Sequence, residues 1–334
     1  MIRSSVLIVL LLLTLGAAGL SAQQPSSHPG IDLYKQGKTE EAIASLENAR
    51  NQKEFSEDSE IWNYLGLAYF AKDNAKKAKK AFEKAIKLSP RISAYHSNLA
   101  YVLLHLRQIN NAQSETEKAI QLDPQNTIAY FVLGTANLWE NKFNKADDDA
   151  LKIIAIDPAY QAAYILRSNI LVVRLGKLVS AGREVRDEID LLKQANDILR
   201  AGVEKCKNNP NRKLIEDEAE AMAAFYMYFV KEKPVLTGVI APPEPGVTPL
   251  KIIGKPKPSY TDSARTGGVQ GTIMLAVIFA ANGRIKHVLV LKRLGSGLDE
   301  QAVRVARQIR FEPQTKDGKP VTTIKMVEYT FSIY

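Results

Sequence analysis

The chain has 334 residues, 46% of them apolar and 24% charged, the balance of an ordinary globular protein with room for two or more domains. Its single cysteine, Cys206, excludes an internal disulfide in any redox compartment. The formal charge of +9 is uneven: from Lys251 onward fourteen Lys and Arg face six Asp and Glu, a balance of +8, whereas the preceding 250 residues hold thirty-one against thirty. A basic C-terminal part favours an acidic partner segment or an anionic wall polymer.

Residues 1–22 read as a secretory signal. Arg3 is followed by residues 6–20, fifteen positions without a charge, and then by small residues, with cleavage after Ala22 or Gly19. The alternative is an uncut anchor and membrane association through the N-terminus, although fifteen apolar residues fall short of the roughly 20 that span a bilayer. Export sets nucleic acid aside as a partner, and no basic motif interleaved with aromatics appears.

The middle of the chain is periodic. Pro90, Pro124 and Pro158 stand 34 residues apart. The clearest copy starts at Ser59 and places Trp62, Leu65, Gly66 and Tyr69 on one helix, then Ala78, Phe82 and Ala85 on a second. Copies from Ser93 (Leu99, Ala100, Leu103, Ala112, Ala119) and Thr127 (Tyr130, Leu133, Gly134, Ala146) repeat the scheme. Gly66, Ala100 and Gly134 let paired helices approach closely, and each proline ends a second helix because it lacks an N–H. A degenerate copy precedes these, another starts at Gln161, and helices near 191–205 and 214–231 are expected to cap the stack.

This period and residue pattern resemble the tetratricopeptide repeat, a helix-turn-helix unit, and imply an all-α superhelical solenoid over residues 23–232. In such stacks the concave face is lined by first-helix positions two, five, nine, twelve and thirteen. Here those are Asn63, Leu67, Phe70, Ser97, Tyr101, Leu104, His105, Phe131, Leu138 and Trp139. The implied groove is apolar and aromatic, suited to a peptide or partner helix. It lacks the Lys and Asn of the carboxylate-clamp version.

Residues 233–250 contain Pro234, Pro242, Pro243, Pro245 and Pro249, and read as an extended, semi-rigid connector. Beyond it, an apolar strand over 271–280 turns at Asn282-Gly283 into a second strand over 284–293. Asn-Gly there predicts a type I′ hairpin. Ser296, with Asp299 three residues later, predicts the start of a helix over 298–310. Leu298, Ala302, Val305 and Ile309 share one face that can cover the sheet, and a final strand runs over 321–334.

This block resembles the C-terminal domain of the TonB family through Pro258-Ser-Tyr-Thr-Asp-Ser-Ala-Arg265, Val269-Gln-Gly271, Asn282-Gly283, Leu298-Asp-Glu-Gln-Ala302, Arg310-Phe-Glu-Pro313, Asp317-Gly-Lys-Pro-Val321 and Tyr329-Thr-Phe331. The resemblance implies a small α+β domain over 251–334. It also implies that an extended segment of an outer-membrane TonB-dependent receptor adds beside the last strand, at Thr323, Lys325, Val327, Tyr329 and Phe331. A short β-prone run over 250–255 is the competing occupant of that edge. Energy transducers of this family carry an uncleaved helix bearing a histidine, whereas here no histidine precedes His28.

Catalytic, cofactor-binding and metal-binding patterns are not expected. His28, His96, His105 and His287 lack ligand spacing, and His96 is read as a packing residue. Asp147, Asp148 and Asp149 point in three directions on a helix and read as solvated surface. The sequence therefore points to an exported adaptor in the periplasm or envelope of a Gram-negative bacterium, binding envelope proteins and supporting outer-membrane transport. A membrane-anchored energy transducer and a periplasmic scaffold binding cell-wall glycan are the alternatives.

Overall fold

The computed structural model describes residues 28–231 and 245–332. The expected signal at 1–22 and most of the Pro-rich connector lie outside the described residues. The chain divides into two compact units between Leu166 and Arg167.

The first unit is a series of helix pairs: α1 (Pro29–Lys35) with α2 (Thr39–Ala49), α3 (Ser59–Ala71) with α4 (Ala75–Leu88), α5 (Ser93–His105) with α6 (Ile109–Leu122), and α7 (Thr127–Trp139) with α8 (Phe143–Ile156). Side-chain caps start several of them. The Asp58 carboxylate accepts from the Glu60 N–H, and Asn126 accepts from the Ala129 N–H. At Gly66 a Cβ would stand 2.7 Å from the Phe82 ring, which is why this position is small. The first helices of three repeats end on left-handed residues, Asp73, Arg107 and Asn141, with φ of 61°, 62° and 60°. These stand 34 residues apart, as the prolines do, but no glycine betrays them in the sequence.

His96 is tied into its repeat. Its Nδ1 lies 2.7 Å from Glu115 on α6 and its Nε2 lies 2.8 Å from the Pro90 carbonyl. Asp149 departs from the expected solvated surface: it turns between α7 and α8 and accepts from Asn137 Nδ2 at 2.8 Å. Burial pushes its carboxyl up to about 6, against the opposing pull of that hydrogen bond. A folded-state value above the unfolded one near 4 gives stability fully present below about pH 4 and lost as pH rises through about 6. Asp149→Asn is therefore expected to stabilise the protein at pH 7.5 by about 1 kcal/mol, after discounting for solvent contact, and to flatten this pH dependence. Thermal unfolding at pH 4.5 and 7.5 checks it.

Helix α9 (Gln161–Ser180) carries the chain across the division, followed by α10 (Ile189–Lys205) and α11 (Arg212–Lys231). After the connector come β1 (Val247–Thr248), β2 (Lys251–Gly254), α12 (Asp262–Thr266), β3 (Gly271–Phe279), β4 (Ile285–Lys292), α13 (Leu298–Ala306), β5 (Arg310–Glu312), β6 (Thr315–Lys316), β7 (Lys319–Pro320) and β8 (Thr323–Phe331). The main sheet has the order β4-β3-β8, entirely antiparallel, while β2 pairs with β5 and β1 with β6. One face of the main sheet packs Ile273, Leu275, Val277, Val288, Val290, Val327 and Tyr329 against Leu298, Ala302 and Val305 of α13.

Two local details differ from the sequence reading. The hairpin between β3 and β4 is not type I′, because only Gly283 has positive φ, 79°. The Gly283 N–H bonds to the Ala280 carbonyl, and the Ala280 N–H to the Arg284 carbonyl. This is a longer loop with glycine in the left-handed position. The N-cap of α13 is Gly297, at φ 79°, rather than Ser296. Asp299 reaches back to accept from the N–H groups of Leu294 and Gly295 instead.

The opposite face of the sheet is buried too, at Ala276, Ile278, Leu289 and Leu291. Helices cover it at β4. Phe225 of α11 meets the His287 ring edge-on at 5.7 Å, Lys286 pairs with Glu220 at 2.7 Å, and Ser180 at the end of α9 accepts from the Arg293 N–H at 3.0 Å. Thus α11, expected at the end of the repeat stack, lies against the C-terminal sheet. Burial in this seam lowers the His287 imidazole, with Glu218 opposing at 3.7 Å.

Candidate functional site

Strand β8 has one ladder neighbour. Its register with β3 runs from Gly271↔Phe331 to Phe279↔Thr323, and among the described residues no strand pairs on its other side. The competing run over 250–255 does not occupy that side: β2 pairs with β5 through Ile252↔Phe311 and Lys251↔Glu312.

Antiparallel geometry fixes which backbone groups face outward. The Ala280 N–H points toward β4, so even-numbered residues of β3 face β4 and odd-numbered ones face β8. The odd residues of β8, namely Thr323, Lys325, Val327, Tyr329 and Phe331, therefore aim their N–H and C=O groups at β3. Ile324, Met326, Glu328 and Thr330 aim theirs outward. The Glu328 carbonyl agrees, since it accepts a hydrogen bond from outside the sheet, from Lys255 Nζ at 2.6 Å. The side chains of Val327, Tyr329 and Phe331 are buried, and Lys325, Glu328 and Thr330 are exposed. Thr323, Lys325, Val327, Tyr329 and Phe331 thus lie on β8 with their backbone turned to β3, and the outward backbone belongs to their neighbours. Register relative to a partner is invisible in one strand's sequence, because side-chain alternation marks faces and not edges.

In the repeats, the expected groove residues form a continuous aromatic series. Phe70 meets Tyr101 at 5.5 Å and His105 at 5.3 Å, and Tyr101 meets Phe131 at 6.3 Å. Leu67, His105 and Trp139 are half-buried, and the Arg107 guanidinium lies 4.0 Å from the Trp139 ring centroid. Phe70, Tyr101, Leu104, Phe131 and Leu138 are buried. Asn63 and Ser97 act as ties between repeats: Asn63 accepts from Asn98 Nδ2 at 2.9 Å, and Ser97 accepts from Asn126 Nδ2 at 3.2 Å. Burial lifts the Tyr101 phenol well above its usual range and lowers the His105 imidazole.

Residues 256–333 match the family model described as Gram-negative bacterial TonB protein C-terminal, and residues 59–92 and 93–126 each match a tetratricopeptide repeat model. The chain carries a TonB C-terminal domain behind tetratricopeptide repeats. Solved structures similar to it include the Arabidopsis OM64 TPR domain, at 26% identity over 34% of this chain and 94% of that one, with a TM-score of 0.33. MamA follows at 18% identity over 57% and 99%, TM-score 0.41. TTC0263, a thermophilic TPR protein of Thermus thermophilus, has 15% identity over 58% and 96%, TM-score 0.47. A search of curated proteins gives no match.

Within the TonB C-terminal domain the edge offers backbone hydrogen-bond donors and acceptors. Half-buried Arg293 and buried Asp299, 3.6 Å apart, pair at the loop between β4 and α13. Burial lowers the guanidinium and raises the carboxyl, so the pair fixes geometry at an electrostatic cost. Among the described residues no three His, Cys, Asp or Glu side chains gather as a metal site, and no helix is long and apolar enough to cross a membrane. Both matched families are interaction modules, one of them from the Gram-negative envelope.

Proposed function

We propose that this chain is an exported, non-enzymatic envelope adaptor. Its TonB C-terminal domain takes an extended segment of an outer-membrane receptor as an added strand beside β8, and its repeats hold a peptide or helix of a second partner. The observation that carries the reading is the outward backbone of Ile324, Met326, Glu328 and Thr330, two groups at each residue with no strand against them among the described residues. Each added ladder bond contributes about 0.5–1.5 kcal/mol net, before the cost of ordering the visitor. Such contact is reversible, as a coupler requires.

The proposal also takes residues 1–22 as a cleaved export signal and residues 233–250 as the tether. Titration of the full chain with synthetic peptides copied from the periplasmic segments of outer-membrane receptors tests the docking. Saturable binding with a Kd on the order of micromolar is expected, about −8 kcal/mol. No binding to any such peptide at millimolar concentration would overturn the reading.

A further inference from the structure

The β8 edge is unpaired but not bare. Lys255 stands one residue beyond β2, whose ladder with β5 anchors it. Its ammonium donates to the outward Glu328 carbonyl at 2.6 Å and sits 4.7 Å from the centroid of the Tyr329 ring. A strand laid beside β8 needs that carbonyl for its own N–H. The ammonium must then leave the carbonyl, either for water or for an acceptor on the visitor.

We infer that Lys255 guards the docking edge and selects, as occupant, an extended segment bearing a carboxylate within reach of the Lys255 ammonium. The inference rests on the strand-docking reading and deepens it. A carboxylate on the visitor restores the hydrogen bond that Lys255 gives up and adds a charge. A neutral visitor displaces the lysine without replacing its acceptor. The surroundings favour the acid: Lys325 is exposed on the same strand and the chain from Lys251 onward carries +8, while Glu328, the one acidic side chain on β8, disfavours an acid directly across from itself. The same charges disfavour a second copy of this chain, since edge-to-edge pairing would bring two sets of Lys255 and Lys325 together. Lysine at an exposed edge is a recognised barrier to such pairing.

The test uses the full chain and two synthetic β-prone peptides that differ only by Glu or Gln at the central position. The wild type is expected to bind the Glu peptide about threefold to fivefold more tightly, with the difference fading at high salt. Lys255→Ala is expected to bind both peptides alike, and to bind the Gln peptide more tightly than the wild type does. Lys255→Gln keeps a donor for the Glu328 carbonyl, so it should still resist the Gln peptide while losing the preference for Glu. Circular dichroism confirms that each variant folds. Undiminished preference for Glu in both variants would overturn the inference while leaving strand docking intact. Absence of binding by either peptide to any form would overturn strand docking and, with it, the inference. An edge-to-edge dimer in sedimentation would overturn the choice of occupant.

Discussion

Residues 245–334 produced alone are expected to aggregate or to lack a cooperative transition, whereas residues 167–334 remain monomeric and unfold cooperatively. The cause is the second buried face of the main sheet. Ala276, Ile278, Leu289 and Leu291 lie at 0%, 2%, 3% and 0% exposure in the whole protein. Cutting away α9–α11 removes the helices that meet β4 at Lys286, His287 and Arg293 and opens that side of the sheet to water. Each large aliphatic side chain so exposed costs about 1.5–3 kcal/mol, and several together rival the whole stability of a small domain. A point change probes the same seam more gently. Phe225 is fully buried against His287, and Phe225→Ala should lower the stability of the second unit by about 3–4 kcal/mol. Sedimentation of the two fragments and denaturant unfolding of the variant check these outcomes. A soluble, cooperatively folding 245–334 fragment would show that the helices are dispensable to the sheet.

This seam is also where sequence reasoning stopped short. Helices α10 and α11 were legible as helices, close to their observed bounds, because their apolar residues recur at helical spacing. Their docking partner was not legible, since an apolar stripe says that a face is buried and not against what. The stripe of Glu218, Met222, Phe225 and Phe229 fits a repeat stack as well as a sheet. What distinguishes the two is a long-range match with His287 and Lys286, which no local pattern records.

Other features were readable because they answer to local chemistry. The prolines at 34-residue spacing marked the repeats, and the small residue at Gly66 is explained by Phe82. The hairpin was placed correctly, but its turn type was not: Asn282-Gly283 suits two different loops, and the Ala280–Arg284 bond selects the longer one. Strand β5 lay hidden in Arg310-Phe-Glu-Pro313 because three residues are too few for alternation. Phe311 packs against Phe279 at 4.8 Å and shows why that motif matters to the core. For the candidate site, the last strand was legible, and which of its backbone groups face away from β3 was not. The decisive contact, Lys255 on the Glu328 carbonyl, joins residues 73 positions apart.

Proline at adjacent positions of β8 separates an open edge from a closed one. Met326 aims its N–H outward, so Met326→Pro deletes a group the fold does not use, and proline is tolerated at such edge positions. Val327 aims its N–H at Leu275 in the ladder with β3, so Val327→Pro breaks the sheet and should cost about 3 kcal/mol or more. The decisive measurement is receptor-peptide affinity of the folded Met326→Pro chain beside its unfolding curve. Open-edge docking predicts a nearly unchanged unfolding transition with binding weakened by at least about tenfold, as loss of a ladder bond and clash of the proline ring demand. A folded Met326→Pro chain that binds as tightly as the wild type would contradict it.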